Sequence, residues 1–225
     1  MRRLPAPAQL LGLAILALGV AACASTPPGE PAGKRIAVDF SLAELGQPPR
    51  GFTTALTGGG GPISWLVRED AGASPPRKVL VQESRDDTSY RFPLCVYDGV
   101  AARDVSVSVA FTSISGQVDQ AAGIVLRYAP ENYYIARANA LENNVNIFKT
   151  IKGKRTIVKE APVTYAAGEW HVLGFAAKGT HLTVLFDGKV VLEADDEAIT
   201  APGRIGLWTK ADSVSAFDQL TIETP

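Results

Sequence analysis

Asp119 and Glu142 are the two carboxyl groups that bracket the most chemically suggestive segment of this chain, NYYIARAN at 132–139. Strand-like alternation there sends Tyr133, Ile135, Arg137 and Asn139 to one side and Tyr134, Ala136 and Ala138 to the other. Arg127, on the preceding segment, shares a face with Val125 and Gly123, while Trp208 and Lys210 share one with Gly206. Together Arg127, Tyr133, Arg137, Asn139, Trp208 and Lys210 describe a wall suited to a sugar. An indole takes the apolar face of a ring, and fixed polar groups take its hydroxyls. Asp119 and Glu142 border the wall as acceptors or as acids. The alternative is a buried charge network on a polar sheet face, because charged residues rarely sit inside strands without a partner.

Other residue patterns carry less. Glu193-Ala194-Asp195-Asp196-Glu197 has the spacing of three acids on one strand face, but Asp196 intervenes and a turn-like run follows, so no catalytic role is expected of it. With only His171 and His181 in the chain, a three-histidine zinc site is excluded. Asp39 and Asp218 lie near the ends of the first and last expected strands. If those strands pair, the two acids begin an oxygen shell for calcium, although no dense Asp/Asn loop supports it. No cofactor is required by any motif. Gly58 to Gly61 lacks the Lys-Ser/Thr of a phosphate loop and reads as a flexible connection. Cys95, between Leu94 and Val96, reads as a small buried hydrophobe.

The elements that must position these groups are strands. Val105, Val107, Val109 and Phe111 alternate with Ser106, Ser108 and Ala110, and Leu182, Val184 and Phe186 repeat the rhythm before an Asp187-Gly188 turn. Gly153 and Gly179 mark two further hairpins. Turn signals recur every 8 to 12 residues or so, and no helix of ten residues stands out. More than a dozen short strands imply two stacked sheets, so the expected fold is all-β: a two-sheet antiparallel jelly-roll sandwich over residues 34–225.

The first residues speak of location. Arg2 and Arg3 precede an apolar run from Leu10 to Val20, which ends in Val20-Ala21-Ala22-Cys23. A run of about 11 residues is too short for a spanning helix, which needs about 20, and has the layout of a secretory signal. It resembles the lipobox of bacterial lipoproteins. That resemblance implies a signal peptide over 1–22, lipidation of Cys23, and an exported, envelope-anchored protein in the periplasm or outer membrane. Residues 24–33, ASTPPGEPAG, follow as a flexible tether. Of 22 basic residues, removing Arg2 and Arg3 leaves about 20 against 23 acidic ones, a mature net charge near −3. With no basic excess to displace counterions, nucleic acid is not an expected partner. Membrane contact would come from the lipid alone, and oligomeric state is left open.

Further segments carry a family resemblance. They include Gly46-x-x-Pro49-x-Gly51-Phe52, Trp65-x-Val67, Arg91-Phe92-Pro93-Leu94, Gly116-x-Val118-Asp119-Gln120-Ala121-Ala122-Gly123, and Asn132-Tyr133-Tyr134-x-x-Arg137-Ala138-Asn139-Ala140-x-Glu142-x-Asn144. Gly168-Glu169-Trp170-His171 and Gly206-Leu207-Trp208-Thr209-Lys210-Ala211-Asp212-Ser213 complete the set. The chain thus resembles concanavalin A-like jelly-roll domains of the bacterial 3-keto-disaccharide hydrolase-like (laminin-G-like) family. The first reading is a glycan-binding module using a concave sheet face; the resemblance implies a glycoside hydrolase acting on 3-keto-disaccharides or related sugars; a third reading is a non-catalytic structural or adhesion domain. In the hydrolase, Glu142 and Asp119 would be acid or base, with Arg137 and Lys210 orienting the sugar. Fold alone does not choose among them.

Overall fold

The computed structural model describes residues 33–225; the apolar leader, Cys23 and the tether up to residue 32 lie outside the described residues. Fifteen strands follow one another: β1 (Lys34–Val38), β2 (Phe52–Gly58), β3 (Trp65–Asp70), β4 (Arg77–Gln82), β5 (Arg91–Ala102), β6 (Val105–Ser115), β7 (Ala121–Ala129), β8 (Asn132–Asn139), β9 (Asn144–Ile151), β10 (Lys154–Pro162), β11 (His171–Lys178), β12 (His181–Phe186), β13 (Lys189–Asp195), β14 (Gly203–Trp208) and β15 (Val214–Thr224). No helix occurs among the described residues. One sheet runs β13-β12-β11-β6-β15-β4-β3, with β1 also paired to β15; the other runs β10-β9-β8-β7-β14-β5-β2. Every pairing is antiparallel. The chain is therefore an all-β, two-sheet jelly-roll sandwich.

Local sequence explains most of these elements. Val105, Val107, Val109 and Phe111 bury the inward face of β6, and Leu173 and Phe175 continue that layer on β11. From the second sheet Ala122, Ile124 and Leu126 of β7 and Ala136 and Ala138 of β8 pack against them. Cys95 joins this layer, and burial pushes its thiol pKa up, so it packs as an inert hydrophobe. Two hairpins turn on paired left-handed residues, Lys152-Gly153 (φ 50° and 75°) and Asp187-Gly188 (φ 49° and 76°), the conformation that matches the strand twist. β2 has no signature in the sequence. Thr53 and Thr54 both face solvent on an edge strand, so apolar alternation is absent there.

The seven-stranded sheet is apolar on both faces. Its outer face carries a second cluster that includes Phe92, Leu94, Tyr133, Ile135, Phe148 and Trp208. That sheet also curls. Five strand spacings separate β10 from β5, roughly 24 Å across a flat sheet at about 4.8 Å each. Yet the Arg155 guanidinium of β10 stands 4.6 Å from the Phe92 ring of β5. Tyr90, just before β5, closes the same gap: its hydroxyl donates to the Gly153 carbonyl (3.0 Å) and accepts the Arg155 amide (2.7 Å). The outer face is thus a trough crossed at one end, where the edge strand β10 reaches the start of β5.

Candidate functional site

The floor of the trough is built by register. Asn146, Arg137, Gly123, Trp208 and Leu94 form one row across β9, β8, β7, β14 and β5. Gly123 is required there: a Cβ would stand 2.8 Å from the Ala136 carbonyl oxygen and 3.3 Å from the Trp208 ring. Without it the indole could not lie flat on the sheet and stack on Phe92 (5.4 Å between centroids, 19° between planes). A second row brings Arg155, Thr150 and Tyr133 side by side on β10, β9 and β8. Arg155 then reaches over the floor, 4.4 Å from the Phe148 ring and 5.6 Å from that of Trp208.

A charge network lines one end. Arg137 NH2 donates to Glu142 Oε2 (2.6 Å), Asn144 Oδ1 (2.6 Å) and Asn146 Oδ1 (2.7 Å), and Glu160 accepts from both asparagine amides. Asp119, fully buried, accepts from Asn139 Nδ2 at 2.6 Å and pairs with Lys210. Burial raises the Asp119 pKa against the pull of Lys210. Burial also pushes Glu142 upward, but the hydrogen bond and charge of Arg137 outweigh it and hold the carboxyl below its ordinary range. The loop that presents Asp119 is fixed by Asp212, whose carboxylate accepts the amides of Gln117, Val118 and Asp119 at 2.6 to 3.2 Å.

Of the wall expected from the sequence, the structure gathers Tyr133, Arg137, Asn139 and Trp208 on this face, with Lys210 at its end. Tyr133, Asn139 and Trp208 have no exposure and Arg137 has 2%, so the expected open, solvent-reachable wall is a correction: these side chains lie buried beneath their neighbours. Arg127 is a correction. One extra residue in β7 between Leu126 and Ala129, with Arg127 at φ 53°, breaks the alternation and turns the side chain away. Its Nε donates to the Arg103 carbonyl (2.8 Å), NH1 to Ile199 (2.6 Å) and NH2 to Gly179 (2.6 Å), so it ties three loops together at the end of the sandwich. Arg155, Tyr90 and Phe148 complete the trough without any signal in the sequence, and Phe92 enters the sequence reading only within the segment Arg91-Phe92-Pro93-Leu94. The hairpin at Gly153 would have set Arg155 beside Thr150, but its reach to Phe92 depends on the curl.

Asp39 and Asp218 border one surface depression, where Arg77 NH1 stands 3.3 Å from Asp218 Oδ2 and Asp39 accepts the Ser41 amide at 2.9 Å. Among the described residues no group of three or more His, Cys, Asp or Glu side chains could hold a metal ion. His171 packs among Phe111, Tyr165 and Phe186, with Nδ1 2.9 Å from Asp187 Oδ2. Glu193 and Asp195 flank the exposed His181 on the rim of the eight-stranded sheet, away from the trough.

The trough's most telling property is unmet hydrogen bonding. Half of the ten buried side-chain polar atoms that find no partner among the described residues belong to it: Tyr133 Oη, Thr150 Oγ1, Trp208 Nε1, Arg137 Nε and one terminal nitrogen of Arg155. Burial raises the Tyr133 phenol pKa; Thr57, Thr150 and the Trp208 indole stand near enough to pull it back, yet none completes a hydrogen bond to it. Buried polar groups are almost always paired, so this convergent set of donors and hydroxyls is capacity that ordered water or a guest can take up.

No protein-family model matches the chain, and no curated protein matches it. Solved structures do. Carbohydrate-binding module CBM66 from Bacillus subtilis is 19% identical, with a TM-score of 0.62 over 77% of this chain and 96% of that one. Domain 4 of AbnA, a GH43 extracellular arabinanase from Geobacillus stearothermophilus solved with arabinotriose, is 13% identical, with a TM-score of 0.54 over 86% and 93%. A protein of unknown function with a galectin-like fold from Bacillus subtilis is 13% identical, with a TM-score of 0.53 over 76% and 89%. At these identities the likeness is one of fold, and it establishes the jelly-roll sandwich.

Proposed function

We propose that this chain is a carbohydrate-binding lipoprotein that holds a saccharide in the trough of its seven-stranded sheet. The observation that carries this reading is the convergence of five unpaired buried polar atoms beside the stacked rings of Phe92 and Trp208. Aromatic faces and fixed donors are what a sugar ring uses. Two of the structural neighbours support it by their names, one a carbohydrate-binding module and one a domain solved with arabinotriose. Calorimetric titration of the purified full chain with neutral and acidic oligosaccharides tests it. Trp208→Phe keeps the ring and removes Nε1, and is expected to weaken binding at least about tenfold, the loss of one buried hydrogen bond. Absence of binding by the folded wild type would favour the adhesion reading instead.

A second reading, glycoside hydrolysis, is favoured by two carboxyls of unlike surroundings at one end of the trough: Asp119 is fully buried beside Lys210, and Glu142 is partly exposed and bonded to Arg137. Against it, both carboxyls are already held by Lys210 and Arg137. Release of monosaccharide from 3-keto or ordinary disaccharides, lost in Asp119→Asn and in Glu142→Gln, would establish it. Binding without turnover leaves the module reading in place.

Export and anchoring through Cys23 belong to the same proposal and rest on residues 1–23. Incorporation of labelled fatty acid into the wild type and not into Cys23→Ser is the expected result.

A further inference from the structure

The unpaired atoms of the trough are not a neutral assortment. Arg155 NH1, Arg137 Nε and Trp208 Nε1 can only donate, while Tyr133 Oη and Thr150 Oγ1 can donate or accept. No group restricted to accepting is left over. The carboxylates native to the site are directed at other donors: Asp119 at Lys210 and Asn139, Glu142 at Arg137, and Glu160 at Asn144 and Asn146. The guest must therefore bring acceptors.

Charge narrows its chemistry. Arg137 is paired with Glu142 and Lys210 with Asp119, but Arg155 has no carboxylate within salt-bridge distance among the described residues. What holds it is stacking: its guanidinium lies 4.4 to 5.6 Å from the rings of Phe148, Phe92 and Trp208. A guanidinium held over rings keeps its N–H groups for other partners, and a carboxylate is the partner that matches them best. A half-buried cation without a counter-charge is costly, and an anionic guest removes that cost. Burial and then the charge of Arg137 disfavour the charged form of Arg155, and the more distant Asp119, Tyr90 and Glu142 offset them only in part.

We propose that the trough selects an acidic saccharide, a uronate whose carboxylate sits on the Arg155 edge while its ring and hydroxyl oxygens accept from Trp208 Nε1 and Tyr133 Oη. The inference rests on the saccharide reading and deepens it. An inorganic anion would satisfy the guanidinium but leave the aromatic floor and the donors of Trp208 and Arg137 unused.

The test compares acids with their own esters on the full chain. Trimers of D-galacturonate, D-glucuronate and D-mannuronate are titrated calorimetrically beside their methyl esters, arabinotriose and sodium acetate. At least one acid trimer is expected to bind ten times or more tighter than its ester and than arabinotriose, with affinity falling as sodium chloride rises. Arg155→Gln should erase that acid-over-ester preference, and Arg155→Lys should keep part of it. Esters or arabinotriose binding as tightly as the acids would overturn the inference and leave the saccharide reading standing. Acetate binding as tightly as the trimers would overturn it as well, since the sugar would then contribute nothing. If no trimer binds to folded wild-type chain, acidic or neutral, both readings fall. The acid and ester comparison uses the unaltered protein, so a misfolded variant does not blunt it.

Discussion

Arg127 and Arg155 are both long cations that this sandwich draws away from water, one at the end of the fold and one over the trough, and they are treated in opposite ways. Arg127, side chain fully buried, has every part of its guanidinium engaged: three carbonyls accept from it and Asp104 stands 3.6 Å off. Arg91 is handled likewise, donating to the carbonyls of Ala211 and Pro62 and to Ser84 Oγ. Arg155 rests on three aromatic rings with a terminal nitrogen buried and unpaired. Burial of charge is thus common to scaffold and site in this protein. What separates them is whether the protein itself uses the hydrogen-bonding capacity, because a donor that the protein leaves unmet is open to water or to a guest.

The widest gap between the two regions should appear on truncation. Arg127→Gln strands carbonyls of three loops, and we expect a loss of about 3 kcal/mol in urea unfolding, as when one member of a buried charge network is removed. Arg155→Gln should cost under about 1 kcal/mol, since few satisfied bonds are lost. Equal costs would dissolve the distinction. Asp212 extends the scaffold side: Asp212→Ala leaves the amides of Gln117, Val118 and Asp119 without their acceptor, for a loss of about 2 kcal/mol. Burial raises the Asp212 pKa, but the amide hydrogen bonds together outweigh it, so the folded value lies below the ordinary 3.8. Its contribution is present above pH 3.8 or so and is lost as pH falls through the lower folded value. Acid unfolding of Asp212→Asn should accordingly be less steep below pH 4 than that of the wild type.

A smaller effect of opposite sign sharpens the contrast. Tyr133→Phe and Thr150→Val each remove a buried hydroxyl that has no partner, so stability should stay level or rise by up to about 1 kcal/mol while saccharide affinity falls. A clear destabilisation by both would mean those hydroxyls are paired in solution. The smallest effect belongs to the open rim of the other sheet. Hydrogen bonds that the His181 ring donates to Asp195 and Glu193 raise the pKa of this exposed histidine above its ordinary 6.5. That contribution is complete below pH 6.5 and disappears as pH rises through the raised value. NMR titration of the ring should find a midpoint above 6.5, and His181→Ala should leave trough binding unchanged at every pH.

Much of this contrast is legible residue by residue, and some of it is not. Alternation along β8 and β14 assigns Tyr133, Arg137, Asn139 and Trp208 to one face, because side-chain direction in an unbroken strand depends only on parity. The same rule misplaces Arg127, since Val125-Leu126-Arg127-Tyr128 reads as continuous alternation and the extra residue in β7 is defined only against its partner β8. Arg155 is ordinary in sequence, one of three basic residues in Lys152-Gly153-Lys154-Arg155. The unpaired donors have no sequence signature at all, for a hydrogen bond left unmade is a fact about neighbours.

Taken alone, the chain of residues determined the all-β class, the hairpins at Gly153 and Gly188 and the facing of most strand residues, because each follows from local periodicity and turn chemistry. The tertiary structure decided which arginine is scaffold and which faces the trough, and that the wall is buried. Those outcomes depend on how far the seven-stranded sheet curls, bringing β10 against β5, and curvature is a property of strands in pairs and layers that no single strand carries.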